Sequence, residues 1–123
     1  MTSTRSALRD LTANLDAPGR PGVTPDSWRR SVRQQLAGVR DLLLSESAQH
    51  EDTWLAARGE TMLRQRNALL ARFSILDARV LEAEDVMLVC AELKRLLADV
   101  AHHVQRVNDL AYDEVEQELG GSD

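Results

Sequence analysis

The residues that could do chemistry gather near the C-terminus, in the stretch ADVAHHVQRVNDLAYDEVEQELGGSD. His102 and His103 are followed by Asp109, Asp113 and Glu116 within about four helical turns. Imidazoles near carboxylates are what a metal site or an acid/base pair would use. Spacing decides whether they can act together. At about 100° per residue, with Val100 at the centre of the apolar stripe, His103 falls about 60° from that centre and His102 about 160°. The two therefore cannot chelate one ion from the same face. His103 is expected as a hydrogen-bonded boundary residue. His102 belongs to an outer, solvated face with Arg106, Asp109, Asp113 and Glu116, where ion pairs contribute only a few tenths of a kcal/mol.

A di-metal site in a helical bundle needs carboxylates from several helices and a Glu-x-x-His on two of them, all pointing inward. The nearest match is Asp99-Val-Ala-His102, largely outward, and His50 is the sole other histidine. Cys90 is the single cysteine, which excludes an internal disulfide and any Cys-rich zinc site. No histidine stands four residues from it, and no Gly-rich phosphate loop or nucleophile elbow occurs. No catalytic, cofactor-binding or metal-binding residue is assigned, no cofactor is expected, and the expected function is non-enzymatic, with a metal-dependent helical-bundle enzyme as the remote alternative.

The elements that carry these residues are helical. The 123 residues fit one domain, able to bury roughly 65–70% of its unfolded surface without disulfide or metal staples. Apolar residues make up 43% of the chain but are mostly Leu, Val and Ala, with Trp28, Trp54, Phe73 and Tyr112 as the aromatics, a composition that favours helix over strand. No apolar run approaches the roughly 20 residues of a membrane span, so no membrane partner is expected. The N-terminal MTSTRSALRD lacks a secretion pattern, which together with the lone cysteine gives an expected cytoplasmic location. Arginine outnumbers lysine fourteen to one, Lys94 being the one lysine, a hint of a GC-rich bacterial source.

Leu8, Leu11 and Leu15, spaced by three and four, predict a short amphipathic helix over about 4–15 with Ser3 as its cap. APGRPGVTP then supplies a linker, so residues 1–24 separate from a bundle domain over 25–119, with 120–123 as a disordered tail. Thr24-Pro25-Asp26 starts a helix over about 25–45 whose buried line is Trp28, Val32, Leu36, Val39 and Leu43. A break near 45–51 is expected, because continuing the helix would rotate the later apolar set by roughly 100–120°. The next helix, about 52–76, carries Leu55, Met62, Leu69 and Leu76 at heptad spacing together with Phe73, and Arg58, Gln65 and Arg72 along a helix-helix boundary. Glu82, Glu84 and Asp85 suit the first turn of a last helix over about 82–119, with a stripe of Val86, Leu93, Val100 and Val107. The expected fold is all-α: an antiparallel bundle of three long helices with a short N-terminal helix.

Charge is uneven along this frame. The net charge is −5, yet residues 1–45 hold seven arginines against four acids, and residues 77–123 hold four bases against twelve acids. The basic helix is expected to lie beside the acidic last helix and be compensated by it. The alternative is that Arg20, Arg29, Arg30, Arg33 and Arg40 form a patch for a nucleic-acid backbone, a reading weakened by the missing lysines and interleaved aromatics. The last helix also breaks its own pattern. Glu114 and Glu118 take stripe positions, while Tyr112, Val115 and Leu119 form a rotated stripe that must face something else. The expected function is protein-protein interaction or regulation, with a protein partner or a homo-oligomer. Its contacts are expected from Leu8, Leu11, Leu15, Tyr112, Glu114, Val115, Glu118 and Leu119.

Overall fold

A computed structural model describes the backbone of residues 3–49 and 57–120, and the side chains within 3–45 and 60–109. Four α-helices pack together: α1 (Thr4–Asp16), α2 (Pro25–Gln49), α3 (Ala57–Glu82) and α4 (Val86–Gly120). They contain 13, 25, 26 and 35 residues. Among the described residues no helix is long and apolar enough to cross a membrane.

Each described helix start follows local chemistry. Ser3 caps α1, its hydroxyl accepting from the Ser6 amide at 3.1 Å. Thr24 does the same for α2, accepting from the Ser27 amide at 3.1 Å, with Pro25 as the first helical residue. The linker between them contains a tight turn closed by the Val23 amide on the Arg20 carbonyl at 3.2 Å. Pro21 and Gly22 occupy its centre, and Gly22 has φ of +83°, the left-handed value that position requires.

Three boundaries differ from the sequence expectation. α3 does not stop at Leu76 but continues through Glu82, and Val80 extends the buried row of Leu69, Phe73 and Leu76 by one more helical step. α4 consequently starts at Val86 rather than at 82. Glu82 ends α3, and Asp85 caps α4 by accepting from the Leu88 amide at 3.1 Å. The acidic cluster thus marks a helix junction rather than a first turn. α2 continues to Gln49, past the expected end at 45. Residues 50–56, with Leu55 and the remainder of the expected break, lie outside the described residues.

The helices close a ring. α1 packs on α2 and α4, α2 on α1 and α3, and α3 on α2 and α4. Cross-helix bonds run in opposite residue order along each neighbouring pair of long helices: Arg29 and Arg33 of α2 meet Ala83, just past α3, and Asp77 of α3, and Gln65, Arg72 and Arg79 of α3 meet His103, Asp99 and Glu92 of α4. One core results, joining Leu8, Leu11 and Leu15 of α1 to the five expected residues of α2, to Leu69, Phe73, Leu76 and Val80, and to Val89, Cys90, Leu93, Leu96, Leu97 and Val100. Val86 and Val104 are partly buried against it. Met62 and Val107 form a smaller cluster further along α3 and α4.

Candidate functional site

The histidine pair is divided as the wheel requires. His102 is exposed, whereas His103 is buried at 4% exposure, deeper than a boundary position. Gln65 reaches across from α3 to place its Oε1 3.4 Å from His103 Nδ1. Burial lowers the His103 pKa from its ordinary value, and the charges of Arg106 and Arg66 push it the same way. Its environment thus favours the neutral ring. Among the described residues no three His, Cys, Asp or Glu side chains gather where they could hold a metal ion. Cys90 is buried, and desolvation raises its pKa, which keeps the thiol protonated and unreactive.

Gln65 and Arg72 lie on the α3–α4 boundary as their spacing implied, Arg72 pairing with Asp99 at 2.6 Å. The side chain of Arg58 lies outside the described residues.

The charge compensation takes a different route from the one expected. α2 and α4 make few contacts, and among the described residues no ion pair joins an arginine of α2 to an acid of α4. Instead Arg33 forms a two-pronged pair with Asp77 of α3, at 3.1 and 3.0 Å. The hydrogen bond and charge of Asp77 raise the Arg33 pKa further. α4 places Glu92 on Arg79 of α3 at 2.7 Å and Lys94 on Asp16 of α1. These pairs are half exposed and contribute little each.

Four of the five patch arginines, Arg29, Arg30, Arg33 and Arg40, line one open groove of about 710 Å³ between α2 and α3. Arg29 donates to the Ala83 carbonyl at the C-terminal end of α3, at 3.2 Å. Arg20 is elsewhere. It donates to Asn14 Oδ1 at 3.0 Å.

Asn14 is the residue that sequence reasoning missed. Buried at 7% exposure, it donates from Nδ2 to Ser31 Oγ at 3.1 Å and to Gln35 Oε1 at 2.8 Å, and its carbonyl accepts from the Trp28 indole at 3.1 Å. Its signal was present, because it stands three residues after Leu11 on the stripe that buries Leu8 and Leu15. Leu8, Leu11 and Leu15 lie inside the chain's own core, so a partner could reach them only by displacing α1. Tyr112, Glu114, Val115, Glu118 and Leu119 are on the described backbone of α4, but their side chains lie outside the described residues.

Comparison of the chain with known protein families, with curated proteins and with solved structures gives no match.

Proposed function

We propose that the chain is a non-enzymatic interaction module of the cytoplasm: an antiparallel bundle of three long helices, with α1 docked as a fourth wall, that presents the acidic end of α4 to a protein partner. The observation that carries this reading is the length of α4. Among the described residues its last bond to α3 is at His103 and its last buried side chain at Val107, and the helix backbone continues to Gly120. Over that extension the sequence replaces core residues with Glu114 and Glu118 and offers a rotated apolar stripe of Tyr112, Val115 and Leu119. A helix end that carries its own apolar stripe is the form in which amphipathic helices are recognised.

The test is affinity purification from the native cell extract with the full chain and with a chain lacking residues 110–123. A partner retained by the first and lost from the second supports the reading. Identical recoveries from both would sink it.

Nucleic-acid binding is a second reading, supported by the four arginines on one groove. It requires affinity for a mixed RNA or DNA pool that falls steeply with salt.

A further inference from the structure

The groove between α2 and α3 is basic along its α2 rim, and the described bonds occupy that rim only in part. Arg33 is held by Asp77 and Arg29 by the Ala83 carbonyl. Arg30 makes no hydrogen bond or ion pair among the described residues, and Arg40 only touches its neighbour Asp41 at 3.5 Å. The lining also includes Phe73 and Leu81, and Leu81 is 52% exposed despite its size. Asp26 stands at the start of the same rim, but four arginines outnumber it, and a net-cationic rim beside the exposed Leu81 suits an amphipathic helix with acids on its shoulders.

Such a helix is present in the chain. Across YDEVEQEL, positions 112, 115 and 119 share one face within about 60° of arc, and Glu116 and Glu118 flank it on opposite sides. The run from Asp113 to Glu118 spans about 8 Å, inside the roughly 15 Å between Arg30 and Arg40. It cannot reach the groove of its own chain. The Arg33–Asp77 and Arg79–Glu92 pairs set the groove beside the first half of α4, and α4 is helical from Val86 to Gly120. Each residue after that first half carries the helix about 1.5 Å further from the groove.

We propose that the acidic end of α4 docks in the α2–α3 groove of a second copy of this chain, each copy giving its helix end to the other. The proposal rests on the reading of the α4 end as the interaction surface and names its partner. The topology permits a closed pair. The groove lies toward the end where α2 begins, whereas the extension of α4 leaves from the end where α2 stops, so two inverted copies side by side bring each helix end to the other's groove.

A charge swap tests it. Arg30→Glu with Arg40→Glu in one chain, and Glu116→Arg with Glu118→Arg in another, are followed by sedimentation velocity, with circular dichroism confirming that each is folded. The full native chain should dimerise, more weakly as salt is added, and each double variant alone should dimerise at least about tenfold more weakly. Mixing the two variants should restore the dimer, because in the mixed pair both grooves again meet ends of opposite charge. The proposal is overturned if the native chain is monomeric at concentrations on the order of 100 μM, if the variants dimerise like it, or if the mixture stays monomeric. If self-docking fails this way while deletion of 110–123 still abolishes capture of a cellular protein, the α4 end remains an interaction surface and only its assigned partner falls.

Discussion

Asn14 and His103 are buried polar side chains that make opposite demands. Asn14 satisfies both of its amide hydrogens on α2 and its oxygen on Arg20, so it ties α1 to a single position. Truncation by Asn14→Ala leaves Ser31 and Gln35 without that donor and should cost about 1–3 kcal/mol in urea unfolding. Ser31→Ala, which removes one bond of the set, should cost less. A loss for Asn14→Ala no larger than that of Ser31→Ala would show that the network does not fix α1. His103 instead resists its charge. Its folded-state pKa is lowered, first by burial and then by Arg106 and Arg66, so the unfolded chain takes up the proton more readily. The contribution to stability is therefore fully present above the ordinary value of 6.5 and is lost as the pH falls from there toward the folded-state value. His103→Gln removes that loss. Between about pH 7.5 and 5.5 the native chain should lose more stability than the variant, read from urea midpoints, and equal slopes would refute the assignment.

At the scale of elements, helix starts are local events and helix ends are tertiary ones. Ser3 and Thr24 could be read as caps because the hydroxyl, the following amides and, for α2, the proline all lie within a few residues. The buried lines of α2 and α4 were legible for a related reason, since a single helix face carries them. Asp85 was misplaced within a first turn because three acids in four residues look alike until Val80 is known to be buried, and that burial depends on neighbouring helices. Removing the cap checks the corrected boundary. Asp85→Ala should destabilise the fold by about 1 kcal/mol, while Glu82→Ala, on the last residue of α3, should stay within about half that. Thermal unfolding distinguishes them, and equal losses would place the start of α4 where the sequence suggested. Asn14 escaped notice by the same logic: its spacing put it on the buried stripe, but its value comes from Ser31 and Gln35 on another helix. The Arg-lined groove was half legible, as four of its arginines recur along α2 while the Asp77 and Phe73 that shape it come from α3.

For the whole molecule the decisive fact is that α1 packs on both α2 and α4. A helix of 13 residues is marginal alone, so its order comes from what it covers. Leu11 is fully buried, Leu15 nearly so, and Trp28 of α2 keeps its indole bonded to the Asn14 carbonyl. Deleting residues 1–18 would then do more than remove one helix's share of the circular dichroism. It would open the α2 and α4 faces that α1 covers, and the expected results are binding of a dye specific for apolar surface, a lower unfolding midpoint, and a red shift of Trp28 fluorescence in a Trp54→Phe background. Leu11→Ala should move the unfolding midpoint in the same direction, by about 2–5 kcal/mol, while leaving α1 in place. If α1 were an appendage on a self-sufficient three-helix bundle, the deletion would leave Trp28 unshifted and the midpoint unchanged. No residue of α1 lines the α2–α3 groove, so a chain carrying Leu11→Ala that remains folded should still dimerise, and association lost with it would tie assembly to α1 instead.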